Sequence, residues 1–236
     1  MRSMLVYVVA FLCGCGALSG CSTRPIPPNV SVTGQTLRIE GRITAKTAQL
    51  FHSALAGQTI SRVQLNSGGG DVDASLDIAT EIFMNGLEVE VVGNCLSSCA
   101  NYLFPAGSHK IISGPGVVGW HGSIQHLVYL HESGQRVMVY PTYQTMLATA
   151  QEEADFFAMI GVDPFVCWFG KIAPFNVRNF YFLSVADMER FGIKNVTARQ
   201  DYSETDTDYM DQWFFISNLQ RLDVDWTTYK AVVPAP

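Results

Sequence analysis

The sequence predicts an α/β domain, a mostly parallel sheet flanked by helices, and three observations carry that expectation. Short apolar runs alternate with stretches of helical periodicity, the pattern of strand–helix–strand crossovers. Two segments of small residues, 66–71 and 93–99, each fall where a strand passes into a helix. In an open α/β sheet that edge is where ligands bind. The 236 residues are 48% hydrophobic and 15% charged, enough apolar material for one large core.

Taken in order, residues 36–41 (TLRIEG) alternate like a half-buried strand, and Ala45, Ala48, Leu50, Phe51 and Leu55 share helical spacing. Residues 61–65 form a short strand that runs into Asn66-Ser67-Gly68-Gly69-Gly70-Asp71. Residues 72–86 are an amphipathic helix ending at Gly86, and 87–93 are the next strand, leading into GNCLSSCANYLFPAG. Residues 122–142 predict a β-hairpin that turns at Glu132-Ser133-Gly134-Gln135. Tyr143, Met146, Leu147, Ala150, Ala154 and Phe157 lay an apolar stripe along one helix. Ser184 caps a later helix and Gly192 stops it. Residues 203–220 predict an acidic loop feeding an amphipathic helix.

The formal net charge of −6 offers no basic stripe, so nucleic acid is not an expected partner. Residues 1–20 carry one base, Arg2, then an apolar run from Met4 to Leu12 and a set of small residues. That is the build of a secretory signal, and the run is too short to span a bilayer. An ordinary signal peptide has the same charge and apolar run. Leu18-Ser19-Gly20-Cys21, however, resembles the bacterial lipobox, in which the Cys is acylated and becomes the mature N-terminus. Ser22 rather than Asp follows, so the expected location is the outer membrane, facing the periplasm. Removing residues 1–20 takes away Arg2 and moves the charge from −6 to −7. The expected layout is a signal peptide at 1–20, a lipidated, Pro-rich linker at 21–34, an α/β domain at 35–200 with an insertion at 122–160, and an acidic C-terminal segment at 201–236.

Cys95, Cys99 and Cys167 remain in the mature chain. An oxidising compartment favours a disulfide, and Cys95 and Cys99 flank a turn close in sequence. Cys167 sits in an apolar setting that suits a buried thiol.

Three segments can carry chemistry. The triple glycine at 68–70 lets backbone amides face a cleft, which suits an anion or a developing oxyanion. It lacks the lysine and spacing of a P-loop and the G-x-G-x-x-G of a dinucleotide fingerprint, and a plain tight turn would use the same residues. Ser97 and Ser98 open the next helix, where free N–H groups favour negative charge, but serine is also a common helix cap. His121 follows a short apolar strand and would be the base such a serine needs.

Together these segments resemble the Clp-type peptidase and crotonase superfamily, most closely its Clp-protease-like periplasmic and lipoprotein members, over about residues 35–197. Such peptidases end one strand in Asn-Ser-Pro-Gly-Gly and place the nucleophilic Ser nine residues before the glycine of an Ala-Gly. They deliver His on a strand about two dozen residues later and close with a segment like Phe-Leu-Ser-Ala. Here the matching residues are Asn66 to Gly70, Ser98 nine residues before Gly107, His121 23 residues after Ser98, and Phe182-Leu183-Ser184. The resemblance implies a Clp/crotonase-like ββα spiral. In its roles Ser98 is the nucleophile and His121 the base, and the Gly69 and Cys99 amides form the oxyanion hole. The expected reaction is acyl transfer on a peptide or protein substrate, with no cofactor and no metal.

Two departures stand out. Gly68 replaces the family's proline, and no Asp or Glu occurs in FNVRNFYFLS, where the acid that orients the histidine is expected. Asn179 or Asn176 can supply an amide oxygen instead, and Asp163 an acid from elsewhere. The alternative is a weak or inactive relative serving as a binding or assembly scaffold. A crotonase-type acyl-CoA activity would need a substrate foreign to the envelope. The insertion at 122–160 predicts homo-oligomers. The acidic run Asp201, Glu204, Asp206, Asp208, Asp211 lacks the Gly and Glu of an EF-hand and reads as a solvated loop.

Overall fold

The structure, a computed structural model, describes residues 29–137, 142–202 and 214–216. Cys21, the leader, residues 138–141 and most of the acidic C-terminal segment lie outside the described residues. The strands are β1 (Asn29–Thr33), β2 (Thr36–Glu40), β3 (Arg62–Ser67), β4 (Glu88–Leu96), β5 (Lys110–Ile112), β6 (Val117–Trp120), β7 (Tyr181–Leu183), β8 (Val196–Ala198) and β9 (Phe214–Ile216). The helices are α1 (Ala45–Gly57), α2 (Val72–Met84), α3 (Phe104–Ala106), α4 (Ile124–Glu132), α5 (Thr142–Ile160) and α6 (Val185–Arg190). A π turn, Cys99–Leu103, runs directly into α3.

These elements make one mixed sheet flanked by helices, ordered β1-β2-β3-β4-β6-β7-β9, with β5 and β8 branching from β4. Most pairs are parallel; β1 with β2 and β6 with β7 are antiparallel. The branch comes from β4 itself. Val89–Val91 pair with β5, whereas Asn94–Leu96 pair with β6. Between these halves the register against β3 shifts, and Asn66 fills the gap, its Oδ1 accepting from the Asn94 amide at 3.0 Å. Only glycine fits beside that amide, because a Cβ on Gly93 would stand 2.4 Å from Asn66 Oδ1.

Strand alternation buries Val63, Leu65, Val89 and Val91 completely, and α2 presses Leu76, Ile78, Ala79 and Ile82 into the same core. At about 25 cal/mol per Å² of apolar surface, such side chains each contribute roughly 1.5–3 kcal/mol. Asp71 caps α2 by accepting from the Ala74 amide, and Ser184 caps α6 by accepting from Asp187. Ser184 and Gly192 thus act as cap and stop, with Gly192 at φ +88°. No described helix is long and apolar enough to cross a membrane.

Three expectations are corrected. Residues 29–33, assigned to a linker, form β1, because Val30 and Val32 alternate onto the core. Residues 124–132 form helix α4 rather than the first arm of a hairpin. Ser123 caps it by accepting from the His126 amide, and Gln125, His126 and Val128 turn inward together. Residues 214–216, expected in an amphipathic helix, form β9 parallel to β7. Cys95 and Cys99 are bonded, S–S 2.10 Å, and Cys167 is a free, buried thiol.

Candidate active site

Parallel register brings three loops to one edge of the sheet. Ser67 is level with Cys95, and Cys95 with Val118. The residues just past these levels are therefore the glycine turn, the serine pair and His121. The Ser97 amide donates to Gly119 O at 3.0 Å, which pins the end of β4 beside the strand that carries the histidine.

At this edge His121 Nε2 lies 2.7 Å from Ser97 Oγ. Ser97, at φ +57°, occupies the left-handed region that non-glycine residues rarely enter. A strand that ends in a residue of this conformation and passes straight into a helix makes a sharp elbow, with the hydroxyl on its outside. Ser97 is half-buried. Ser98 is 4% exposed, and its hydroxyl donates inward to Gly70 O at 3.0 Å. The serine facing the histidine is thus Ser97, not the expected Ser98.

The physical reason is local backbone geometry. The positive φ at Ser97 ends β4 with that hydroxyl toward His121, whereas Ser98, the residue before the π turn, directs its hydroxyl inward to Gly70 O.

The amides expected as oxyanion donors, those of Gly69 and Cys99, are placed differently from that expectation. The first helical bond runs from the Asn101 amide to Ser97 O at 2.8 Å, so the Ser98 amide precedes it, at the electropositive start of the helix. A Cβ on Gly69 would stand 2.8 Å from that amide nitrogen and 2.5 Å from Leu96 O. Gly69, at φ +84°, therefore keeps the approach to the Ser98 amide open. Its own N–H is engaged, donating to Ser67 Oγ at 3.0 Å, and Ser67 in turn donates to Gly41 O. The Gly69 amide is therefore not a free donor at this edge, and the amide next after Ser97 is that of Ser98, not of Cys99.

No carboxylate or amide among the described residues bonds to Nδ1 of His121. Antiparallel pairing of Trp120 with Tyr181 sets Phe180 opposite His121, and the two rings lie 4.6 Å apart. Asn179 offers its backbone oxygen to Lys171 Nζ at 3.0 Å, beside Arg178 O at 2.6 Å. Asn176 is held by Ile172 O at φ +50°. Asp163 caps the turn at Pro164–Cys167 by accepting from the Phe165 amide. The structure brings none of these three to the ring. The His121 pKa is lowered from its ordinary value, first by burial and then by the positive charge of Lys171. The imidazole is therefore neutral at neutral pH, with Nε2 able to accept the Ser97 proton.

Two residues that sequence reasoning missed hold the His121 segment. Asn101 Nδ2 donates to Gly122 O at 2.9 Å. Glu153, wholly buried on α5, accepts from the Gln125 amide at 2.9 Å and from Tyr102 Oη at 2.8 Å. Burial raises its pKa to about 7, against the lowering effect of the donors around it. Glu153 had a sequence signal: it falls between Met146, Ala150 and Phe157 on the buried face.

Among the described residues no three His, Cys, Asp or Glu side chains group as a metal site. Asp201 pairs with Arg199 at 2.9 Å, and the other acids of that run lie outside the described residues. No protein-family model matches the chain, and no curated protein matches it significantly.

Proposed function

We propose that this protein is a serine hydrolase of Clp/crotonase-like fold, acting by acyl transfer on a peptide or other acyl substrate. Ser97 Oγ at 2.7 Å from His121 Nε2, on a strained strand-to-helix elbow, carries this reading. In the reaction His121 accepts the Ser97 proton as Oγ attacks a carbonyl carbon. The Ser98 amide, uncovered by Gly69, receives the oxyanion. The lipobox Cys21 and its leader support a lipid tether in the bacterial envelope, facing the periplasm. Self-association belongs to the same proposal.

The test is a fluorophosphonate probe on folded protein. Wild type and Ser98→Ala label, and Ser97→Ala loses labelling by roughly 10³-fold or more. An unlabelled wild type would overturn the hydrolase reading. One observation favours a second reading, a non-catalytic scaffold: Phe180 packs on the ring and Lys171 adds positive charge, where an orienting acid would stabilise imidazolium.

A further inference from the structure

We propose that the cavity at the opposite edge of the sheet from Ser97 binds a small carboxylate with an apolar tail, seated on Lys110. Lys110 opens β5, which runs parallel to β4. The cavity therefore lies at the N-terminal edge of the strands, whereas Ser97 follows the C-terminal end of β4. None of its lining residues belongs to the Ser97–His121 crevice, so the proposal stands apart from the hydrolase reading.

The cavity holds about 360 Å³, at the small end of ligand pockets. Its lining has two cations, Lys110 and Lys194, and no Asp or Glu. Lys110 is 6% exposed, and its ammonium donates to one acceptor, Lys194 O at 3.0 Å. An ammonium has three donors, and no described carboxylate pairs with this one. Burial alone lowers its pKa to about 8, so it remains largely charged at neutral pH. A charge withdrawn from water and left without a counter-ion costs free energy that an arriving anion recovers.

Ser108 and Asn195 add polar groups to the wall, and Phe83, Pro105, Ile160 and Val162 supply apolar side chains to it. Phe83 is 37% exposed, and Met84 and Met159, neighbours of lining residues in the chain, are exposed as well. A bare inorganic anion would satisfy Lys110 and leave that rim wet. A carboxylate carrying a hydrocarbon chain satisfies both.

Isothermal titration of octanoate into the full chain carrying Cys21→Ser, which removes the lipid acceptor, tests the site. One equivalent binds, and octanol, which lacks the charge, binds about tenfold more weakly or worse. Lys110→Met weakens octanoate by a similar factor. Phe83→Glu, at an exposed rim position that leaves the core intact, weakens it too without lowering the melting temperature. This second variant decides the matter if Lys110→Met does not fold. Absence of octanoate binding, octanol binding as tight as octanoate, or affinity unchanged in Phe83→Glu overturns the proposal.

Discussion

Replacing Phe180 by Asp puts a carboxylate opposite His121, where the antiparallel register already aims the side chain at the ring. If Ser97 and His121 form a working pair limited by an unsupported imidazolium, Phe180→Asp raises the rate of fluorophosphonate labelling by roughly ten- to a hundredfold. That is part of the ~10⁴-fold an orienting acid supplies in complete triads. A rate that stays at or below wild type counts against the pair. Lys171 gives a second single-residue test. As the base, His121 must be neutral, and its pKa lies below the ordinary 6.5, so the acid limb of the pH–rate profile falls below that value. Lys171→Met removes the second cause of the shift and moves the limb upward; an unmoved limb means that Lys171 does not act on the base.

At the scale of the element, the Cys95–Cys99 bond ties the last turn of β4 to the first residue of the π turn and encloses both serines. So short a loop removes little entropy from the unfolded chain, so replacing both cysteines by Ala costs only about 2 kcal/mol in chemical denaturation. The larger effect is expected on reactivity, because the bond confines Ser97 in a backbone conformation it would otherwise leave. Labelling of the Cys95→Ala/Cys99→Ala protein falls well below that of Ser98→Ala, although both fold. Equal labelling would show that the elbow holds without its staple. The serine pair also shows where sequence reasoning stops. Strand, turn and helix were each legible, but the positive-φ backbone at Ser97 and the inward bond of Ser98 to Gly70 O decide which hydroxyl meets His121. Nothing in LSSC announces which serine takes that conformation.

For the whole molecule, two buried groups pull stability in opposite directions with pH. His126, stacked on Trp168 with ring centroids 5.6 Å apart, has its pKa lowered to about 4, mainly by burial. The unfolded chain therefore binds its proton first, and stability is lost as pH falls from about 6.5 to about 4, by roughly 3 kcal/mol. Glu153, raised from 4.5 to about 7, does the reverse: the folded chain binds the proton first, and stability is lost as pH rises across that window. In wild type the two slopes largely cancel between about pH 4.5 and 6.5. His126→Phe, which keeps the ring stack, leaves Glu153 unopposed and makes the protein less stable as pH rises. Glu153→Gln does the opposite. Urea titrations at several pH values check both, and parallel slopes in the two variants would contradict the assignment.

The sequence by itself determined the local features. These are the order of most strands and helices, the cap at Ser184, the glycine turn, the pairing of Cys95 with Cys99, and a serine turn ahead of a histidine. Each rests on periodicity or on chemistry within a few residues along the chain. Tertiary structure alone decided which serine meets His121, that Phe180 rather than an amide or acid covers the ring, and that Glu153 underpins the histidine segment. Those contacts depend on the register between strands far apart in sequence and on the backbone conformation of one serine; the apolar stripe marks Glu153 as inward-facing but not what it holds.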